Sequence, residues 1–269
     1  MNVAYFIYHG KIKKWDLFDV SIRSLQKVSD CKIVVYTPQL ENHEYLEKLG
    51  VQVVHFEMGD WENRKMTCKV ECTLTLPESC GLKYGDNVMV FDADLLFIKD
   101  PFTAFKEHEF DFAYTTRNLR SEYPVNGGVW GFTYNENSNN LLHFFVGNLN
   151  NPSWQPYLNA RVNHAHNRDL DNLDWWVDQD FLCELHKNED NINQSKMLGF
   201  DINIKDVGPE YNWIYSGMNE LDQIDHIKNK KSHILHYKGA TSAGITSNRY
   251  LKETNEKQVK FYKILLDLI

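Results

Sequence analysis

The chain is poor in cysteine and shows no cysteine motif. Its five cysteines are Cys31, Cys68, Cys72, Cys80 and Cys183. The odd number does not suit a framework of disulfides, and no pair has the CxxC spacing of zinc sites. We therefore expect buried thiols in a protein that works in a reducing compartment.

A cationic surface and long apolar segments are missing as well. The net charge is -8, and nucleic-acid-binding proteins usually carry a basic face, so no nucleic acid is expected as a partner. No apolar run is long enough for a transmembrane segment, and the first residues, MNVAYFIY, lack the basic start and long apolar core of a signal peptide. These absences predict a soluble cytoplasmic protein, with peripheral membrane association left open.

Internal repeats and low-complexity linkers are also absent, so residues 1–269 are predicted to form a single domain. Short β-branched and aromatic stretches at 3–8, 32–36 and 51–56 alternate with stretches of helical periodicity. Such alternation predicts an α/β fold, in which helices cover both faces of a mostly parallel sheet. A final helix is predicted to begin at about residue 253.

Two predictions concern segments that connect these elements. Met66, Val70 and Leu74 fall on one face of a helix, which Pro77 is predicted to end. The segment 148–174 is polar and rich in Asn and His, and it is predicted to form a long loop of the kind that often carries function.

The strongest chemical motif is Asp92-Ala93-Asp94, which directly follows the apolar run 88–91. A strand that ends there would present the motif at the edge where open α/β sheets bind ligands. Two carboxylates one residue apart can share a hard cation such as Mn²⁺ or Mg²⁺, and the small Ala93 leaves space for a nucleotide. In the alternative, one Asp caps the next turn and the other is solvated. The place of the motif after a buried strand favours the metal site.

The last predicted strand, 233–237, ends in a second group of polar residues. The neutral imidazole of His236 could complete a metal shell, and Lys238 could meet a phosphate. Gly239 would let the backbone approach a ligand closely. A lone His is more often structural, but its position at the end of an apolar strand favours a ligand role.

Two other segments offer contacts for an anionic or sugar ligand. Asn126-Gly127-Gly128 needs unusual backbone freedom just before a strand, for which a tight turn and close approach to a sugar are both sufficient reasons. Lys69 lies one helical turn beyond Lys65, so that face of a helix could reach an anionic donor. Solvated surface charge is the alternative for this basic group.

A carboxylate pair lies at the start of a later predicted helix. Asp178, Gln179 and Asp180 precede the apolar stretch Phe181-Leu182-Cys183. A carboxylate and an amide at this place can hold sugar hydroxyls or assist catalysis. Simple N-capping, which Asp180 could provide alone, is the alternative.

These segments, in this order, resemble the GT-A fold superfamily of glycosyltransferases, with greatest similarity to family 8-like transferases. The resemblance rests on the strand that ends at Tyr8, on Lys69, and on the motifs VMVFDADLLF, VNGGVWGF, DQDFLCEL, GPEYNW and HILHYKG. It covers roughly residues 3–239, and the combination is far more specific than any single motif. It implies a Rossmann-like α/β/α sandwich around a central, mostly parallel mixed sheet.

The resemblance also implies a function. The protein would be a metal-dependent hexosyltransferase-like enzyme that moves a sugar from a nucleotide-diphosphate sugar, with a UDP-sugar favoured, to a glycan or other acceptor hydroxyl. It implies Mn²⁺ or Mg²⁺ as the cofactor, held by Asp92, Asp94 and His236. Tyr8 and His9 would lie near the base. The residues implied near the phosphates or the sugar are Lys69, Lys238, Asn126, Gly128, Asp178 and Gln179.

Several alternatives remain at this point. A haloacid-dehalogenase-like phosphatase also uses a DxD motif after an apolar strand, but there the motif normally lies near the N-terminus and continues to a Thr. A sugar-phosphate nucleotidyltransferase would need a Gly-rich loop after the first strand, which is missing. A catalytically silent binding protein could share the whole motif set. An inverting enzyme would use Asp178 or Asp180 as the base, whereas in a retaining one Asp178 would stabilise the oxocarbenium-like centre.

Overall fold

The computed structural model describes residues 1–57, 65–118, 124–149, 177–188, 191–214, 220–237 and 256–269. The strands are β1 Asn2–Ile7, β2 Lys32–Thr37, β3 Gln52–His55, β4 Asn87–Phe91, β5 Leu95–Phe97, β6 Phe112–Thr116, β7 Val125–Thr133, β8 Ile204–Asp206, β9 Trp213–Ile214 and β10 Ile234–His236. The helices are α1 Leu17–Val28, α2 His43–Lys48, α3 Lys65–Glu71, α4 Leu76–Cys80, α5 Ala104–Glu107, α6 Glu136–Leu149, α7 Val177–Lys187, α8 Asn191–Leu198, α9 Glu220–Lys228 and α10 Glu256–Leu268.

The centre of the fold is a seven-stranded sheet in the order β3-β2-β1-β4-β7-β6-β8. Strands β1, β2, β3 and β4 pair in parallel, and β6 pairs in parallel with β8. Strand β7 is antiparallel to both of its neighbours, β4 and β6. This is the mixed, mostly parallel sheet that the sequence predicts, and the α/β fold class is confirmed.

Alternation along β1 shows how the sheet is covered on both faces. Val3 and Tyr5 belong to one buried apolar cluster, and Ala4 and Phe6 belong to another on the opposite face. Helix α1 packs Phe18, Ile22 and Leu25 into the second cluster. Burial of an apolar side chain of this size contributes about 1.5–3 kcal/mol, so each face supplies substantial folding free energy.

A small second sheet lies beside the first, in the order β5-β10-β9. Strand β10 pairs antiparallel with β5, and His236 lies opposite Leu95. The backbone N–H of Tyr237 donates to the carbonyl of Asp94 at 2.9 Å. The last strand, predicted at 233–237, therefore brings His236 next to the DxD motif from outside the central sheet.

One helix boundary differs from the prediction, and another falls at the edge of the described residues. After α3 the chain continues through a short 3-10 turn at Cys72–Thr75 into α4, where Pro77 lies in the first helical turn. The prediction that Pro77 ends the helix is wrong, because proline is tolerated in a first turn whose N–H groups have no intrahelical partner. The C-terminal helix begins at Glu256, and its expected start near 253 lies outside the described residues.

The described residues also bear on several other predictions. All five cysteines are free thiols, and all but the half-buried Cys31 are buried. The predicted loop at 148–174 falls almost entirely outside the described part of the chain. Within the described part, no helix combines the length and apolar character needed to cross a membrane.

Candidate active site

The DxD motif emerges where β4 ends and the chain turns into β5. Ser21, fully buried on α1, fixes this turn: its hydroxyl contacts the carbonyl of Ala93 at 3.0 Å and accepts from the N–H of Leu95 at 3.1 Å. The sequence gives no hint of this role, because a serine beside an apolar helix face reads as ordinary helix surface. The result is a rigid base for Asp92 and Asp94.

The structure brings together the three side chains predicted to bind a metal. One ligand atom from each of Asp92, Asp94 and His236 lies within 4.8 Å of the others. The Nε2 of His236 is 3.1 Å from Oδ1 of Asp94 and 3.9 Å from Oδ2 of Asp92. His236 is only 1% exposed, whereas the two aspartates are half-buried. The cluster thus opens to solvent on its carboxylate side.

The donor set of this cluster fits a divalent cation. Nδ1 of His236 shares a 2.8 Å hydrogen bond with the amide oxygen of Asn212, which can only accept. In the neutral ring the lone pair of Nε2 then faces the carboxylate of Asp94 across 3.1 Å, so two acceptors confront each other. A cation between them would turn this repulsion into coordination, and one nitrogen with carboxylate oxygens suits Mn²⁺ well.

Lys69 joins the cluster to helix α7. Its ammonium donates to Oδ1 of Asp92 at 2.7 Å, to the carbonyl of Gly127 at 2.7 Å and to Oδ2 of Asp178 at 3.2 Å. Burial alone would lower the pKa of Lys69, but the Asp92 and Asp178 carboxylates outweigh it and raise that pKa. Burial raises the pKa of Asp178, against the opposing effect of Lys69. The lysine is held between two carboxylates and stays charged.

Gly127 and Gly128 allow these side chains to approach β7. A Cβ at Gly127 would lie 2.7 Å from Oδ2 of Asp178, and one at Gly128 would lie 2.8 Å from Oδ2 of Asp92 and also meet the ring of His236. Both glycines lie inside β7 rather than in a turn before it. The turn explanation is therefore wrong, and crowding by the side chains of Asp178, Asp92 and His236 is the reason that glycine is needed here.

Asn126 provides a polar group with unused capacity. Its Oδ1 accepts from the N–H of Gly128 at 2.7 Å. Its Nδ2 is buried and has no hydrogen-bond partner among the described residues. A buried donor left unpaired costs about 1–3 kcal/mol, so a ligand oxygen that reached Nδ2 would recover that free energy.

The predicted catalytic residues Asp178, Gln179 and Asp180 lie at the start of helix α7. Asp178 is 3% exposed, and its Oδ1 accepts from the N–H of Gln179 at 2.8 Å. Arg117 donates to Oε1 of Gln179 at 2.9 Å and to the carbonyl of Val125 at 3.1 Å, so it orients the amide. Asp180 is half-buried, and two residues along a helix turn it about 200° away from Asp178. Sequence reasoning missed Arg117, which lies in no motif.

The remaining predicted residues lie along the same edge or outside the described chain. Phe6 pairs with Phe91 in register, so Tyr8 and His9 leave the sheet beside the DxD motif. The ring of Tyr8 stacks on Phe18 with centroids 4.2 Å apart. The rings of His9 and Phe56 form a T-shaped pair with centroids 5.9 Å apart. Lys238 and Gly239 lie outside the described residues.

The chain is similar in structure to several solved glycosyltransferases. The chain superposes on the glycosyltransferase GlyE of Streptococcus pneumoniae TIGR4 with a TM-score of 0.51 and 12% identity, over 99% of this chain and 63% of GlyE. The apo form of GlyE gives a TM-score of 0.50 at 12% identity, over 99% of this chain and 62% of GlyE. A glycosyltransferase involved in glycosylation of the major capsid of PBCV-1 has 10% identity and a TM-score of 0.46, over 97% of this chain and 98% of that protein.

The GlyE superposition confirms that the chain has the fold of the GT-A-like glycosyltransferase superfamily. This chain spans less than two thirds of the length of GlyE. No family model matches the sequence, and no curated protein matches it. At this low identity the likeness defines the fold, and the chemistry rests on the site itself.

Proposed function

We propose that this protein is a metal-dependent glycosyltransferase that moves a sugar from a nucleotide-diphosphate sugar, with a UDP-sugar favoured, to an acceptor hydroxyl. The observation that carries the proposal is the cluster of Asp92, Asp94 and His236 at the carboxyl edge of the sheet. Asp178, held by Lys69, lies directly behind it. A cation held there would neutralise charge on a departing diphosphate, and the nearby carboxylate would stabilise positive charge on the sugar.

In the reaction, the acceptor hydroxyl oxygen bonds to the anomeric carbon while the bond from that carbon to the diphosphate oxygen breaks. The hydroxyl proton passes to the departing diphosphate or to solvent, and the nucleoside diphosphate leaves. A divalent cation held by Asp92, Asp94 and His236 would neutralise the charge that develops on the departing diphosphate. The two carboxylates and the imidazole therefore act by holding that charge compensation in place.

Asp178 contributes negative charge near the sugar. One of its oxygens accepts from the N–H of Gln179 and the other from Lys69, so the carboxylate is fixed in position. A fixed carboxylate with both oxygens engaged is better suited to stabilising an oxocarbenium-like centre than to collecting a proton. Asn126, through Nδ2, and Gln179, oriented by Arg117, are the groups that we assign to sugar hydroxyls.

Thermal denaturation with nucleotide sugars, with and without Mn²⁺, tests this proposal. A ligand at 100 times its dissociation constant stabilises the folded state by about 2.7 kcal/mol, which gives a measurable rise in Tm. We expect a small rise with Mn²⁺ alone and the largest rise when Mn²⁺ and the donor are both present. Asp94→Asn should abolish it, whereas Asp30→Asn, an exposed position between α1 and β2, should not.

A second measurement separates a transferase from a silent binding protein. Release of nucleoside diphosphate from the donor is followed with and without sugar acceptors. Turnover that depends on Mn²⁺ and disappears in Asp94→Asn supports the transferase. Binding of the donor without any release of nucleoside diphosphate would favour the silent binding protein. A parent protein that shows no response to Mn²⁺ and donor together would contradict the proposed metal site.

A further inference from the structure

A chain of buried hydrogen bonds connects the metal-site histidine to the backbone of the central sheet. The hydroxyl of Thr115 donates to the carbonyl of Val129 at 3.0 Å. Nδ2 of Asn212 donates to Oγ1 of Thr115 at 2.8 Å, and Oδ1 of Asn212 accepts from Nδ1 of His236 at 2.8 Å. Thr115 and Asn212 are fully buried and His236 nearly so. None of these bonds is accessible to bulk solvent.

The donor and the acceptor of every hydrogen bond in this series follow from the bond between Thr115 and the carbonyl of Val129. A backbone carbonyl can only accept, so the single hydroxyl hydrogen of Thr115 points to Val129. The oxygen of Thr115 is then an acceptor, and it selects the NH₂ side of the Asn212 amide. The carbonyl of Asn126, 3.5 Å from Nδ2 of Asn212, selects the same side. A flipped amide would set its oxygen against two acceptors.

The fixed amide in turn determines the tautomer of His236. Since Oδ1 of Asn212 can only accept, the hydrogen of the neutral ring must lie on Nδ1. Nε2 then carries a lone pair, and it faces Oδ1 of Asp94 at 3.1 Å and Oδ2 of Asp92 at 3.9 Å. With the other tautomer, an N–H would occupy the place where a cation must bind.

We infer that Asn212 and Thr115 are positioning residues, which lock His236 in the tautomer and orientation that offer Nε2 to a divalent cation. This inference rests on the metal site of the proposed function. Neither residue touches the cation or the substrate; both act through the imidazole. Outer hydrogen-bond partners of this kind typically account for 10–100-fold in metal affinity.

Strand pairing fixes Asn212 and Thr115 in position before a cation binds. Asn212 directly precedes β9, and β9 pairs in parallel with β10, which carries His236. Thr115 lies in β6, which pairs with β7 next to the glycines of the site. Asn212 thus spans the gap between the small sheet and the central sheet. Paired strands, rather than a mobile loop, therefore hold the hydrogen bonds that orient His236.

Nuclear magnetic resonance of the metal-free protein tests the tautomer directly. Long-range ¹H–¹⁵N correlations distinguish a ring protonated on Nδ1 from one protonated on Nε2, under mildly alkaline conditions in which imidazoles are neutral. We expect His236 of the parent to carry its hydrogen on Nδ1. In Asn212→Leu, which keeps the bulk but removes the amide, we expect a substantial population with the hydrogen on Nε2.

Mn²⁺ affinity, measured by electron paramagnetic resonance on the same proteins, gives the second readout. Asn212→Leu should weaken binding by roughly 10–100-fold. Thr115→Val removes the hydroxyl at nearly constant volume and should weaken binding by a smaller factor, while Thr115→Ser keeps the hydroxyl and should bind as the parent does. The Thr115 pair keeps the test decisive if Asn212→Leu does not fold.

The two possible failures can be told apart. A parent that binds Mn²⁺ with its His236 hydrogen on Nε2, or folded Asn212→Leu and Thr115→Val variants with the parent's affinity, would overturn the positioning role alone. A parent that does not bind Mn²⁺ would overturn the metal site and the positioning role together.

Discussion

The ammonium nitrogen of Lys69 lies 3.2 Å from Oδ2 of Asp178, although the two residues are 109 positions apart in the chain. The same nitrogen donates to Oδ1 of Asp92 at 2.7 Å. Helix α3, strand β4 and helix α7 therefore meet at one buried positive charge. Removal of that charge would leave two carboxylates facing each other without compensation.

Lys69→Met tests the importance of this charge for stability. Breaking a buried ion pair by removing one partner typically costs about 3–5 kcal/mol, and the partial exposure of Asp92 puts our expectation near the lower end. Chemical denaturation measures the loss. The double variant Lys69→Met/Asp178→Asn should recover part of it, because one unpaired carboxylate is then neutral.

Lys48→Met provides the matched control, since Lys48 forms an exposed pair with Glu44. Exposed pairs contribute little, so its denaturation midpoint should equal that of the parent. Equal midpoints for Lys69→Met and the parent would mean that Lys69 does not hold the site together.

Gly127→Ala and Gly128→Ala test two parts of the site separately, the buried carboxylate of Asp178 and the metal-binding cluster. The methyl group at 128 would press on Asp92 and His236, so Mn²⁺ binding should be lost. The methyl group at 127 would press on Asp178, so turnover should fall while Mn²⁺ binding survives. Titration with Mn²⁺ and measurement of kcat on both variants distinguish these effects.

Gly147→Ala is the control for these substitutions. It lies in helix α6, and a Cβ there meets nothing within 4 Å. Alanine should stabilise the helix by about 0.5–1 kcal/mol and leave metal binding and turnover unchanged. If Gly127→Ala and Gly128→Ala behave in the same way as Gly147→Ala, the crowding around β7 has no functional meaning.

Asp178→Asn tests the role of the buried carboxylate in catalysis. The amide keeps the size but can accept only one of the two hydrogen bonds that the carboxylate accepts from Gln179 and Lys69. Donor affinity should still change little, because nucleotide and metal provide most of it. We expect kcat to fall by about 10²–10³-fold, the loss typical when one preorganised electrostatic contact to the transition state is removed. Transfer rate and nucleotide-sugar affinity are measured on one preparation.

Asp180→Asn is the companion variant, and its side chain leaves the helix on the other side. A large loss of kcat in Asp180→Asn, with Asp178→Asn close to the parent, would move the catalytic role to Asp180. Loss of affinity together with rate in Asp178→Asn would make Asp178 a donor-binding residue.

Stability should decrease as the solution is acidified through the range of imidazole titration. Burial lowers the pKa of His226, with a further contribution from Lys231 and an opposing one from Asp225. Below the ordinary histidine pKa of about 6.5, the imidazole of His226 takes up a proton in the unfolded chain but not in the folded protein. The free energy of unfolding therefore decreases as the pH is lowered. This decrease ends once the pH is below the pKa of His226 in the folded protein.

His226→Gln should flatten this dependence, because glutamine does not titrate. Its amide can still reach the hydroxyl of Ser232, which contacts Nε2 of His226 at 2.8 Å. His143→Gln, at an exposed position of α6, should leave the slope as it is in the parent. The slope is obtained from denaturation curves at several pH values. An identical slope in the parent and in His226→Gln would show that His226 charges freely in the folded state.

The sequence by itself determined the α/β class and the two strand ends that carry chemistry. Apolar stretches that alternate with helical periodicity specify strands and helices locally, and acidic residues after the apolar run 88–91 indicate a strand-end site. That Asp92, Asp94 and His236 share one site is a hypothesis from two strand ends, which the resemblance to known motifs supports, since no local rule joins positions so far apart in the chain.

Tertiary structure alone decided which side chains meet and what each glycine is for. The insertion of β7 between β4 and β6 places Gly127 and Gly128 against Asp178, Asp92 and His236. The same strand order aligns Thr115 with Asn212. Ser21, Arg117 and Thr115 lie in no motif, and the motif GPEYNW does not indicate which group Asn212 contacts, because a buried hydrogen bond depends on where two distant segments cross. Strand order and register, which the periodicity of a single segment does not encode, fix those crossings.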